Sequence, residues 1–373
     1  MDDIIVIGAG PTGAAAAQHS ARRGLQTRII GPSEPQRATH QVWSSHYDEG
    51  RLTHRGARNV ALALLAHESM QRYRGIEQES GIGFYTPCGT LSLSAAPEDF
   101  SYTQVRPALE AALGFTYEDV DRGTLAQRFP MLATDMGYVG LYDAPPAGII
   151  NPRRMVAAHL AIAEQHGATR VDDIVTAVTP GDEAVTVSVG AQSYRARRVV
   201  VAAGGYSGLL GLLPTAVPHT VKSETVTLAQ LDATTAAALG GMPSMMIDVQ
   251  SPVISDAYLT PPLLYPDGNW YLKIGSNCVD DLFFTDPQEV QTWVRSGGHT
   301  SAHAAQIALL RALFPAVAFG AFQSVPCLIT RTPSGVPDIG LLHPRVAAMV
   351  GCNGSLAKSS DAIGRLLIDA LTA

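Results

Sequence analysis

The stretch from Asp2 to Gly13 restricts the fold of this chain more than any other part of it. Ile4 to Ile7 is a continuous apolar run, the pattern of a parallel strand buried on both faces. Gly8, Gly10 and Gly13 follow at G-x-G-x-x-G spacing, and Ala14 to Arg23 reads as an alanine-rich helix closed by Gly24. The glycines serve three physical needs, namely a tight turn, close approach of backbone to a pyrophosphate, and close helix–strand contact. The start of the helix offers unpaired N–H groups and the positive end of its dipole to phosphates. With a strand before it and a helix after it, the motif predicts a dinucleotide site, with Pro11 and Thr12 inside it.

Composition narrows the class. The 373 residues are 46% hydrophobic and 16% charged, as in a folded globular chain with room for two lobes. The net charge of −7 and the lack of a basic run argue against nucleic acid as a partner. No segment has the apolar length of a membrane span. The first apolar run is too short for a signal peptide and is needed as a strand. Cys88, Cys278, Cys327 and Cys352 are scattered without metal-ligand pairing, so a reducing, cytoplasmic setting and no metal are expected. A monomer or small homo-oligomer is expected.

Thr27 to Ile30 reads as a second strand. The acidic residue that usually follows it, to bind a ribose hydroxyl, is replaced by Gly31, leaving Ser33 or Glu34 for that role. Gln41 to Arg58 is polar and rich in His, Ser and Arg. Helices are predicted over Val60–Glu79, Tyr102–Leu113, Gly123–Phe129, Arg153–His166, Gln288–Ser296, Ser301–Phe314 and Lys358–Leu371. Strand patterns cover Phe84–Leu93, Tyr138–Tyr142, Asp173–Val178, Glu183–Val189, Ser193–Ala202, Lys222–Leu228, Ser244–Gly275 and Val346–Val350, with turn signals between Thr260 and Trp270. No linker cleanly divides the chain.

Four segments in order resemble the FAD-dependent D-amino-acid oxidase superfamily, and within it the sarcosine-oxidase-like amine oxidases. They are Gly8–Gly13, Gly148–Met155, Val199–Ser207, and Cys327–Gly340 with Gly351–Lys358. The resemblance implies an α/β fold: a Rossmann-like FAD-binding domain interleaved with a smaller α+β substrate domain on a mixed or antiparallel sheet. It places residues 1–80, 148–215 and 325–373 in the first and 81–147 and 216–324 in the second. It implies a FAD enzyme that oxidises a C–N bond next to a carboxylate.

The resemblance also implies site residues. Ser44, Ser45, Val175, Ala203, Gly204, Gly354, Ser355 and Leu356 would line the cofactor together with the glycine motif. Cys327 would bond to the flavin 8-methyl carbon. Lys273 would stand beside flavin N5, where a cation helps oxygen accept an electron. Lys358 would bind the substrate carboxylate. Arg51 would contact the flavin, with either His54 or Arg55 gripping the carboxylate. Tyr258 would hydrogen-bond the substrate, and Asn277 falls where relatives carry a histidine. Arg331, two residues past Ile329, reads as an exposed turn arginine or a second anion contact.

The expected reaction is hydride transfer from the carbon next to nitrogen in a small secondary amino acid. Imine hydrolysis and reduction of O2 to H2O2 would follow. No acid–base dyad stands out in the sequence. A dehydrogenase with another electron acceptor is the alternative. The apparent surplus of cations suggests an imino diacid as substrate, with sarcosine-like N-alkyl amino acids next.

Overall fold

The structure, a computed structural model, describes all residues except 97, 99–103, 134–135 and 250. The strand Asp2–Ile7 forms the centre of the first sheet. It pairs in parallel with Thr27–Ile30 on one side and Gln192–Val201 on the other. Ile4, Ile5 and Val6 have no exposure, as their unbroken apolar run requires. Thr169–Val171 extends the parallel set beyond Thr27–Ile30, and Val346–Val350 beyond the second half of Gln192–Val201. The first half of that strand instead takes the antiparallel ribbon Ala177–Pro180 and Val185–Val189.

The helix Pro11–Arg22 packs against this sheet and against the helices Pro152–Gln165 and Ser360–Thr372. Small residues permit the approach. A Cβ on Gly364 would lie 2.6 Å from the backbone nitrogen of Ala16. The last helix therefore crosses the dinucleotide-motif helix at van der Waals contact, which fixes the turn ahead of it over the cleft.

The second sheet is larger and mostly antiparallel. Its long strands Thr220–Leu231, Ile254–Leu264, Trp270–Cys278 and Phe322–Arg331 run side by side, and the helix Thr300–Leu313 packs on them. Phe322–Arg331 pairs along its length with Thr220–Leu231, so the boundary expected at residue 325 falls inside one strand. A third, small sheet joins Arg51–Thr53, Tyr85–Thr86 and Gly148–Ile150.

Several expected elements differ in extent. The strand pattern Phe84–Leu93 is two strands, Tyr85–Thr86 and Thr90–Ser94, with Gly89 at positive φ between them. The helix expected from Tyr102 runs from Arg106 to Leu113, and its expected start lies outside the described residues. The β pattern at Asp173–Val178 forms its strand at Ala177–Pro180. The pattern Ser244–Gly275 is divided by the turn at Gly268 (φ 82°), as its Asp-Gly signal predicts. Among the described residues, no helix is long and apolar enough to cross a membrane.

Candidate active site

One cleft of about 610 Å³ runs from the glycine turn to the second sheet. The lining includes Gly8, Gly10, Pro11 and Thr12, together with Gly31, Ser44 and Ser45. The glycines divide their work as the motif predicts. A Cβ on Gly8, at φ 98°, would lie 2.5 Å from the Ala202 carbonyl oxygen. One on Gly13 would overlap the Gly8 carbonyl oxygen, so that residue sets the helix–strand contact and does not line the cleft. A Cβ on Gly10 would meet only ordinary contacts, His46 Nδ1 at 3.7 Å and Ser44 Oγ at 3.9 Å, and no side chain caps the helix that starts there. Its first N–H groups stay available to an anion. This cradle and the cleft leading from it fit FAD.

Gly31 explains the missing acidic residue after the second strand. A Cβ there would lie 2.6 Å from the Ala9 nitrogen, so the strand end abuts the glycine turn. The expected substitutes do not reach the cleft. Ser33 hydrogen-bonds Asp172, and Glu34 pairs with Arg153. Val175, Ala203, Gly204, Cys327, Gly354, Ser355 and Leu356 all line the cleft.

Lys358 lies in the 3-10 turn Ala357–Ser359 that precedes the last helix, and it is 3% exposed. Its backbone carbonyl accepts from the Tyr73 hydroxyl at 2.6 Å. Its Nζ donates to the Gly56 carbonyl at 2.9 Å and to the His54 imidazole, 2.9 Å from Nε2 and 3.2 Å from Nδ1. Burial lowers the Lys358 ammonium to about 7, with Asp143 pulling it back up. Burial and the neighbouring Lys358 push His54 well below its ordinary value, so its imidazole is neutral and accepts. An ammonium has three donors; the third is left for a ligand.

His54 and Arg55, which the sequence leaves as alternatives, point to different places. His54 lines the cleft. Arg55 does not: its Nε donates to Asp143 at 2.8 Å, its guanidinium stacks 3.7 Å from the Phe115 ring centroid, and both members of the pair are buried. Arg55 is thus a structural ion pair and not a carboxylate grip.

Arg51 lines the cleft and donates to the Ser45 carbonyl at 2.7 Å. Its Nη2 also approaches Cys327 Sγ at 3.6 Å, and it pairs with Asp48. Asp48 also receives Lys273, whose Nζ donates to the Gly50 carbonyl at 2.6 Å and lies 5.2 Å from the Tyr258 ring centroid. Lys273 is fully buried but does not line the cleft; it stands behind Arg51 and Tyr258. Burial, and then Arg51, push its ammonium well down from the ordinary value.

The second-sheet end of the cleft holds residues that sequence reading missed. Glu224 lies opposite Cys327 across paired strands, is buried, and accepts from the Tyr258 hydroxyl at 2.9 Å. A Cβ on Gly275 would strike the Tyr258 ring, so that glycine seats the tyrosine. Asn277 is fixed on all sides. Its amide nitrogen donates to both oxygens of Asp256 at 2.8 and 2.9 Å, and its oxygen accepts from Lys222 at 2.9 Å and Arg331 at 2.6 Å. Arg331 is half-buried on the cleft wall, and no carboxylate lies within ion-pair distance of it among the described residues. Asp248 and Asp256 also line the cleft and face each other across paired strands.

Known proteins resemble this chain in sequence and fold. The model of the FAD dependent oxidoreductase (DAO) family matches residues 3–370. Monomeric sarcosine oxidase of Bacillus sp. (strain NS-129) is 25% identical over 99% of this chain and 92% of its own length. Monomeric sarcosine oxidase of Streptomyces avermitilis is 30% identical over 60% of this chain; that match spans only 56% of its length. N-methyl-L-tryptophan oxidase of Escherichia coli (strain K12) is 26% identical over 57% of this chain and 56% of its length. In fold, the chain superposes on NikD, an amino acid oxidase of nikkomycin biosynthesis, with a TM-score of 0.78. That match has 20% identity and covers 100% of this chain and 94% of NikD.

Proposed function

The chain belongs to the FAD dependent oxidoreductase family, and we propose that it is an oxidase of small N-substituted amino acids. The observation that carries the reading is the continuity of one cleft from the glycine cradle to the buried Lys358 ammonium. FAD, when bound, accepts hydride from the carbon next to the substrate nitrogen and passes the electrons to O2, giving H2O2 and an imine that hydrolyses. The Gly8–Thr12 turn and the start of its helix hold the pyrophosphate, and residues Gly354 to Lys358 cover the other end. Lys358, steadied by neutral His54, grips the substrate carboxylate, with Arg331 beside the same cleft as a second donor. Segments 1–80, 148–215 and most of 325–373 act as the cofactor lobe in this reading, and the rest as the substrate lobe.

The charges in the cleft favour one carboxylate on the substrate. Arg51 and Lys273 are neutralised in part by Asp48, and Arg55 is taken by Asp143. Glu224, Asp248 and Asp256 add negative charge to the same walls. Most of the surplus of cations that suggests an imino diacid is therefore taken up inside the protein, which leaves Lys358 and Arg331 for the substrate. An oxygen-electrode screen tests the reading: sarcosine and other N-alkyl amino acids should be turned over with higher kcat/KM than iminodiacetate. Turnover with an artificial acceptor but no oxygen uptake would instead make the protein a dehydrogenase.

Covalent attachment of the flavin through Cys327 is part of this reading; its support is that Cys327 lines the cleft with Arg51 against its sulfur. Burial raises its thiol, while Arg51 and Lys273 favour the thiolate. The S–C bond would replace an S–H and a C–H, with two electrons passing through the flavin to oxygen. Acid precipitation should leave the yellow colour in the pellet, and the Cys327→Ser protein should release it. A colourless pellet from flavin-loaded parent protein would rule the bond out.

A further inference from the structure

We propose that Glu224 is the base of this site, accepting an N–H of the substrate ammonium and taking its proton before the carbon–hydrogen bond breaks. This role rests on the oxidase reading above and adds a residue to it. Glu224 is 6% exposed, in the middle of the strand Thr220–Leu231, and lines the cleft. Its one side-chain hydrogen bond among the described residues comes from the Tyr258 hydroxyl. The charged and titratable groups around it come from every neighbouring element. They are Arg51 on the small sheet, Cys327 on the paired strand, Tyr258 two strands away in the same sheet, Lys273 on the strand between, and Lys222 on its own strand. The three cations are each committed to another carboxylate: Arg51 and Lys273 to Asp48, and Lys222 to Asp281.

A buried carboxylate is costly unless its acceptor positions are filled. It has about four of them, and the tyrosine fills one. The group that complements the rest from the cleft side is a cation with N–H donors. A substrate carboxylate would be repelled there and directed to Lys358, so the carboxylate of Glu224 and the ammonium of Lys358 orient an amino acid between them.

Proton balance gives the contact its chemical use. A protonated amine has no lone pair to support hydride loss. Transfer breaks one N–H bond, leaves that electron pair on nitrogen, and forms an O–H bond on the Glu224 carboxylate; nothing is oxidised or reduced in this step. Burial raises the carboxyl above its ordinary value, while Arg51 and the Tyr258 hydrogen bond draw it back. Since the ionised form is the acceptor, the rate of anaerobic reduction should rise with pH through that group's titration.

Betaine and 3,3-dimethylbutanoate differ only by a quaternary nitrogen in place of carbon, and neither can be oxidised by hydride loss from a neutral amine. Calorimetric titration of the holoenzyme, above the titration of Glu224, should show betaine binding roughly tenfold tighter. Glu224→Gln, nearly isosteric, should bind the two equally and lose the acid limb of the reduction-rate profile. Equal affinities in the parent protein, or a preference that survives in Glu224→Gln, would overturn the proposal. Failure of every amino acid to bleach the parent flavin would overturn the oxidase reading instead, whatever the two ligands do.

Discussion

Replacing Lys273 with Met should slow reoxidation of the reduced enzyme by oxygen about 10²- to 10³-fold, the loss of about 2.7–4 kcal/mol of charge stabilisation. Reduction by substrate under anaerobic conditions should change far less. The effect is electrostatic and depends on the cluster, not on direct contact. Arg51 and Lys273 share one carboxylate, Asp48, so two basic side chains stand against the cleft wall with a single ion-pair partner between them. Electron transfer to oxygen creates negative charge where none existed, and a fixed cation in a dry wall needs no rearrangement to meet it. Met fills a similar volume and removes one of the two basic side chains. Stopped-flow mixing of the reduced variant with oxygenated buffer measures the effect; a reoxidation rate equal to that of the parent would show that this charge plays no part.

Lys358→Met should weaken binding of carboxylate ligands about 100-fold, as expected for losing a buried charge-assisted bond. The parent protein should show the same dependence through pH. Burial lowers the Lys358 ammonium to about 7, and only the protonated form attracts a carboxylate. Affinity should be flat below that value and fall about tenfold per unit above it, until ligand ionisation intervenes. His54→Ala should weaken binding less, because Gly56 still holds the ammonium. Titrations of a non-oxidisable carboxylate across neutral pH test both statements. Affinity that rises with pH through 7 would mean that another group receives the carboxylate.

The parts of the fold legible in the sequence are those with long, uniform patterns. The apolar run at Ile4–Ile7, the three glycines and the capped helix after Asn151 each carry a local signal. In the structure Asn151 accepts from the Arg154 backbone nitrogen at 3.0 Å, as its position before Pro152 implies. Strands such as Thr169–Val171 and Arg51–Thr53 have three residues each, too few for a period to show, and exist because a neighbouring strand pairs with them. The site divides in the same way. Lys358 stands out in sequence because a lysine opening a helix is locally unfavourable. Glu224 does not, since one acidic residue in a threonine-rich strand reads as a solvated face. Only pairing with the Cys327 strand reveals it as buried in the cleft wall. Arg55 illustrates the opposite error: its charge is legible, but its partner Asp143 is 88 residues away.

Anaerobic titration of the flavin-loaded protein with an N-methyl amino acid, followed by admission of oxygen, is the decisive experiment for the oxidase assignment. The visible flavin absorbance should bleach with substrate, return in air, and yield one H2O2 for each flavin reoxidised. An absorbance that no secondary amino acid bleaches, or a bleached enzyme that stays reduced in air, would contradict it.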